Sequence, residues 1–261
     1  MGNGILERTR ELRRGFMRRR HTALLVAIVV LLTLRPLMAD SGAAPVMFSL
    51  ALLFVMLLGL YNINIDELVG ERGKLLAQGR RRRIVGWVLA AVATAERFMT
   101  LIAPSHTLYL VGSMSWLLFF AFVTLSELRA LLKQKEVTGE TISMSISAYL
   151  LIGLTWGLLF IFMTQLHPDA INLGGGTTPI VTSSHMGTAF PIIIYFSLTT
   201  LSTIGFGDIT PVSLQARYAA VAEGITGQFY LAILVARLVG IQMNQAARRS
   251  AAPEPREPDV G

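Results

Sequence analysis

Thr203-Ile204-Gly205-Phe206-Gly207-Asp208 follows Thr199-Thr200-Leu201-Ser202 and stands between two long apolar segments, Ile142 to Leu166 and Val212 to Met243. Immediately before it, Phe190 to Ser202 is apolar and hydroxyl-rich, but shorter than the roughly 20 residues that a bilayer-crossing helix needs. Pro191, near the start of that stretch, suits the first turn of a helix, where a missing N–H costs nothing. A half-membrane helix followed by non-helical backbone is tolerated at that depth only when it is buried in protein or lines water. The unit predicted here is therefore a re-entrant loop between two spanning helices.

The chemistry such a loop offers follows from its glycines. Successive backbone carbonyls replace the water shell of a cation if the chain extends with all of them turned to one side. That conformation alternates in handedness, and Gly205 and Gly207 accept positive φ. Thr203, Ile204, Gly205 and Phe206 would present carbonyls, and the Thr203 hydroxyl would add the innermost ligand. The C-terminal end of the short helix, near Ser202, aims the negative end of its dipole at the ion. A glycine pair in an apolar protein more often only permits a turn or close packing. Here the hydroxyl-rich half-helix before it, Asp208 and Pro211 after it, and a long apolar helix on each side argue together for the cation site.

The rest of the chain reads as an integral membrane protein, because 53% of its 261 residues are hydrophobic and only 15% are charged. The net charge of +7 comes from arginines clustered beside apolar runs, with no basic face interleaved with aromatics, so nucleic acid is not an expected partner. There is no cysteine, which excludes disulfides, thiolate metal sites and cysteine catalysis. Met1-Gly2 does not open a myristoylation signal, since Leu6 stands where Ser or Thr is wanted. Leu37-Met38-Ala39 is a poor cleavage site, so the first apolar run is read as an uncleaved helix.

Candidate spans are Thr22 to Met38, Pro45 to Ile63, Ile84 to Ala103, Thr107 to Leu132, Ile142 to Leu166 and Val212 to Met243, six in all. Lys and Arg in short loops stay cytoplasmic. Those of the N-terminus, of the loop carrying Arg72, Lys74 and Arg80 to Arg83, of Lys133 and Lys135, and of Arg248 and Arg249 fall on one side. Both termini are then cytoplasmic, in a multi-pass protein expected in the plasma (inner) membrane. Arg80, Arg81, Arg82 and Arg83 also make a candidate contact for anionic lipid. Ile5, Leu12 and Phe16 recur at helical spacing among arginines, so residues 1–20 are either a short helix on the inner leaflet or a solvated basic tail. The predicted organisation is that basic N-terminus, a four-helix domain over 21–135, a pore domain over 136–244 and a disordered tail over 245–261.

The stretch Thr199 to Asp208 resembles the signature of potassium channels, whose usual filter is Thr-Val-Gly-Tyr-Gly. The resemblance is surest from the fifth helix to about Gly240, and is to the bacterial branch of the two-helix pore family. It implies an all-α membrane protein with a re-entrant pore helix and filter between the fifth and sixth helices. Four chains are needed to encircle an ion, so a homotetramer is implied, with potassium as permeant ligand at Thr203, Ile204, Gly205 and Phe206 and no cofactor. Tyr195, Phe196, Thr199, Thr200, Ser202 and Asp208 would support the filter. Two departures stand out. The family often places a carboxylate where this chain has Thr199, and its filter Tyr, bonded to pore-helix aromatics, is Phe206 here, facing Tyr195 and Phe196.

On the sixth helix, Gly227 aligns with the glycine at which the family's inner helices bend, while Gly224 and Gly227 equally suit close packing. Gln228, Leu231 and Val235 have spacings that face a cavity. Glu223, an intramembrane carboxylate, is read first as a hydrogen-bond partner of a pore-helix hydroxyl and second as a contact of the permeant ion. Arg237 is expected to snorkel to water or lipid phosphate. His106, His167 and His185 have no ligand spacing and are read as exposed loop residues. No nucleophile, base and oxyanion-hole set appears, so no enzymatic activity is read. The fourth helix carries no Lys or Arg from Thr107 through Glu127. A steep voltage sensor moves about 3–4 charges per subunit, each worth roughly 2.3 kcal/mol per 100 mV, so only weak voltage dependence is expected. Arg35 and Glu96 reach similar depth and would form a structural ion pair, with Arg97 a further charge inside a predicted span. The readings left beside potassium conduction are a poorly selective cation pore and a non-conducting receptor or assembly subunit.

Overall fold

The structure, a computed structural model, describes residues 20–37, 44–69, 76–103, 105–134, 136–174 and 186–250. The basic N-terminus, Asp40, Arg72, Lys74, Lys135, His185 and the tail from 251 lie outside them. Seven α-helices are described: α1 Arg20–Leu37, α2 Ala44–Val69, α3 Leu76–Ile102, α4 His106–Lys133, α5 Gly139–Leu166, α6 Met186–Leu201 and α7 Leu214–Ser250. Among the described residues, three helical segments are long and apolar enough to cross a membrane: His106–Lys133, Gly139–Leu166 and Leu214–Gln245.

Several boundaries differ from expectation. Helix α3 starts at Leu76, so Arg80 to Arg83 lie on its first turns rather than in a loop. The long aliphatic stems of arginine are good helix formers, and nothing in that stretch breaks a helix. Helix α7 continues to Ser250, beyond the boundary drawn after 244. Helix α6 begins at Met186 instead of Phe190, which places Pro191 inside the helix rather than in its first turn.

Local chemistry sets the ends of α4 and α5. Ser105 caps α4 by accepting from Leu108 N at 3.3 Å. Thr138 and Thr141 form a reciprocal capping box at the start of α5, each backbone N–H donating to the other's hydroxyl at 3.3 Å. Glu140, in that first turn, complements the helix dipole. Its carboxylate also accepts from the backbone N–H of His21 at 3.1 Å and from the Thr22 hydroxyl at 2.6 Å, pinning the start of α1 to α5.

Helix α5 is the centre of the fold. It packs on α4, α1, the short helix α6 and α7. The core runs through Leu24, Ile28 and Leu31 of α1, Phe119 and Phe120 of α4, Leu151, Leu154 and Phe160 of α5, and Ile193 of α6. Its spacing depends on two glycines one helical turn apart. A Cβ on Gly153 would meet Leu198 Cδ2 at 2.6 Å, and one on Gly157 would collide with Ile194 Cδ1. This is the small-residue seat that lets membrane helices approach closely, and it receives α6.

A buried polar cluster ties α1, α2 and α4 together. His21 Nδ1 lies 3.3 Å from Glu127 Oε2, and the Asn62 amide donates to Glu127 Oε1 at 3.3 Å, joining α1, α2 and α4. Glu96 is also buried, its carboxyl packed on Gly112 of α4. The side chains of Arg35 and Arg97 lie outside the described residues, so the expected Arg35–Glu96 pair falls there too.

Candidate functional site

Helix α6 ends at Leu201, and the chain then leaves helical geometry without leaving the helix end. Thr203 N–H donates to Thr200 O at 3.0 Å, and both Ile204 N–H (2.9 Å) and Gly205 N–H (3.2 Å) donate to Thr199 O. The amides are thus turned into the protein, and Thr203 to Asp208 are exposed on the single chain. Along this irregular strand, which is not part of a β-sheet, φ is +59° at Thr203, +54° at Gly205 and +80° at Gly207, while Ile204 and Phe206 keep negative values. This is the alternation of handedness expected of a chain that turns its carbonyls to one side.

Two of the three positive values fall on the expected glycines. The third falls on Thr203, a β-branched residue for which φ > 0 is a strained outlier. Its hydroxyl is held from the inner helix, where Gln228 Nε2 donates to Thr203 Oγ1 at 3.1 Å. Gln228 therefore reaches the innermost end of the strand. Leu231 and Val235, the other two residues given a cavity spacing, are exposed on the single chain.

The residues expected to support the strand do so differently from expectation. The hydroxyls of Thr199 and Thr200 both donate to Phe196 O, at 2.9 and 2.8 Å, and that of Ser202 donates to Leu198 O at 2.7 Å. They satisfy their own helix, and it is the Thr199 and Thr200 carbonyls that hold the strand. Tyr195 stacks on Phe206 with ring centroids 6.2 Å apart and an interplanar angle of 1°. Phe196 does not face Phe206: it is buried against Phe160 of α5, centroids 5.0 Å apart. Successive helical residues point about 100° apart, so both rings could not serve one partner.

Asp208, left without a carboxyl partner by Thr199, accepts a hydrogen bond from Tyr195 Oη at 3.0 Å. Behind it, Ile171–Asn172 pairs antiparallel with Thr210–Pro211, and Val212 N–H donates to Ala170 O at 2.8 Å. Ala170 and Ile171 are buried, so the segment that follows α5 is tied to the far end of the strand. Gly174 is needed there: its φ is +79°, and a Cβ would meet Asp208 O at 2.8 Å. His106 and His167 are exposed.

The inner helix α7 is fastened at three levels. A Cβ on Gly227 would collide with the Leu201 carbonyl oxygen, so Gly227 brings α7 onto the C-terminus of α6. Tyr230 Oη donates to Ser145 O of α5 at 2.6 Å. Arg237 does not snorkel: its guanidinium donates to the carbonyls of Leu131 (2.7 Å), Leu132 (2.6 Å) and Gln134 (2.9 Å) at the end of α4. The last carbonyls of a helix have no intrahelical donors, and a guanidinium fork satisfies several of them at once. Sequence depth alone could not reveal that partner.

Residues 148–243, which hold α6, the strand and most of α5 and α7, match a family model described as an ion channel. This segment is an ion-channel domain. Ion channels are a non-enzymatic transport class, in agreement with the lack of a catalytic constellation in the sequence. No curated protein and no solved structure matches the chain. The match begins inside α5; α1 to α4 precede it and contact it through the α4–α5 packing and the Arg237 clasp.

The Tyr195–Asp208 bond yields a test of its role within the ion-channel domain. Tyr195→Phe keeps the ring stacked on Phe206 and removes only the hydroxyl that holds Asp208. Open lifetimes in single-channel recordings are expected to shorten several-fold with ion preference unchanged. Lifetimes equal to the parent's would show that the bond does not brace the strand.

Proposed function

We propose that the chain is one subunit of a potassium-selective channel in which four copies surround a file of ions. The observation that carries this reading is the alternation of positive φ at Thr203, Gly205 and Gly207, with the Ile204 and Gly205 amides anchored on the Thr199 carbonyl. Potassium would be held by the carbonyls of Thr203, Ile204, Gly205 and Phe206 and by the Thr203 hydroxyl, replacing its water shell. One chain supplies one strand, and assembly supplies the rest of the ring. An unpartnered apolar surface on α7, including Tyr218, Val221, Phe229 and Ile233, supports assembly.

In this reading α1 to α5 and α7 each cross the membrane, with both termini cytoplasmic and Arg80 to Arg83 near anionic lipid headgroups on the inner surface. The first four helices serve as a scaffold around α5. The charge-free stretch of α4 supports weak dependence on voltage.

Flux from liposomes containing the purified protein tests the proposal. Rapid potassium flux with little sodium flux, from a species whose native mass is that of four chains, is the expected result. Equal flux of both ions would identify a poorly selective cation pore. Absence of any flux would favour a receptor or assembly subunit that keeps a pore-like loop.

A further inference from the structure

Glu223 sits on the face of α7 that meets α6 and is 0% exposed. Its Oε1 lies 2.5 Å from Ser197 Oγ, which in turn lies 2.7 Å from the Gly153 carbonyl oxygen of α5. Each of these contacts requires a proton, and a serine hydroxyl carries only one. Glu223 Oε2 is buried and has no hydrogen-bond partner. Among the described residues no cation pairs with Glu223; the ionisable side chain that faces it from α5 is the phenol of Tyr149.

Two proton assignments compete. With an ionised Glu223, Ser197 must give its proton to Oε1. The Gly153 carbonyl then faces an oxygen lone pair at hydrogen-bond distance, and a buried full charge is left with one oxygen unpartnered. With a neutral Glu223, its own O–H donates to Ser197 Oγ and the Ser197 O–H donates to Gly153 O. Every proton is used, and what remains unpartnered is one oxygen of an uncharged acid.

We infer that Glu223 is a neutral carboxylic acid whose proton completes a hydrogen-bond chain from α7 through Ser197 of α6 to Gly153 of α5. The chain crosses α6 one residue before Leu198, against which Gly153 packs, and one turn before Leu201, against which Gly227 packs. It fixes α6 between the outer and inner helices, and α6 carries the Thr199 and Thr200 carbonyls on which the strand hangs. Glu223 is thus a positioning residue that acts through Ser197. The proton assignment stands on geometry alone; its consequence for conduction rests on the proposed potassium pore.

Infrared spectra of the protein in lipid bilayers at neutral pH test the proton directly, with Glu223→Gln as the reference. The other buried carboxyls, Glu96 and Glu127, are common to both samples and cancel. The wild type is expected to show a protonated-carboxyl C=O band that is lost in the variant; loss of carboxylate bands instead would overturn the assignment. Liposome flux tests the positioning. Glu223→Gln, whose amide N–H also donates to Ser197, is expected to retain potassium flux within about twofold. Glu223→Asp is one methylene too short to reach Ser197 and should lose flux by more than about tenfold. A Gln variant that assembles but does not conduct, or an Asp variant equal to the wild type, would overturn the positioning role. Absence of wild-type flux would instead strike the potassium reading, with the infrared band still deciding the proton.

Discussion

Gly227→Ala is expected to abolish conduction while leaving membrane insertion intact. The added Cβ falls on the Leu201 carbonyl oxygen, with the carbonyl carbon at 3.0 Å and Leu201 Cδ1 at 3.1 Å. A side chain could rotate aside, but this obstacle is backbone at the end of α6. Overpacking costs typically about 1–3 kcal/mol even where side chains can give, and here α6 and α7 must separate. Separation moves Thr199 and Thr200, whose carbonyls anchor the strand, and stretches the Glu223–Ser197 contact. Gly224→Ala is the internal control, because its Cβ would meet only Thr200 O at an ordinary 3.7 Å. Of the two readings that the sequence allows for Gly227, a bend or a close approach, the close approach requires Gly227→Ala to lose flux and Gly224→Ala to keep it. Equal flux from both variants would remove it.

The helices and the strand were legible in the sequence because each is a local pattern. Long apolar runs mark helices wherever they lie, and glycines at 205 and 207 announce positive φ at their own positions. What escaped was set by residues far apart in the chain. Positive φ at Thr203 contradicts the preference of a β-branched residue, and it persists because Gln228 and the α6 carbonyls hold it. The supporting role of Thr199 belongs to its carbonyl, which every residue has, so no side-chain pattern could mark it. Gly153 and Gly157 do form a visible small-residue pair in the sequence, but their partner helix α6 is named only by the packing. His21 stands just before the first apolar run, and Asn62 and Glu127 lie inside two others, and only the fold makes them a cluster. Asp208 found Tyr195 because a phenol reaches from a position one turn earlier in α6 than the carboxylate that the resemblance suggested.

On the proposed reading of a tetrameric potassium pore, Gly205→Ala is expected to eliminate selective potassium conduction with assembly retained. No atom stands within 4 Å of the Cβ it would add, so the effect on the single chain is not a clash. It is conformational: φ at Gly205 is +54°, and an L-residue in the left-handed region costs about 1–2 kcal/mol. In the proposed tetramer four subunits would repeat that cost around one ion path. The cheapest relief is rotation of the Gly205 backbone toward negative φ, which would withdraw its carbonyl from the proposed cation site and weaken the 3.2 Å bond from its N–H to Thr199 O. The steric and conformational accounts separate when the same methyl is introduced with opposite chirality. A D-alanine at position 205 favours positive φ, so a semisynthetic channel carrying it should conduct potassium, although the Cβ count is the same as in the L-alanine variant. If both alanine forms conduct selectively, carbonyl alignment by positive φ at Gly205 is not what holds the ion; if neither does, crowding in the assembled pore has to replace backbone handedness as the reason a glycine is needed there.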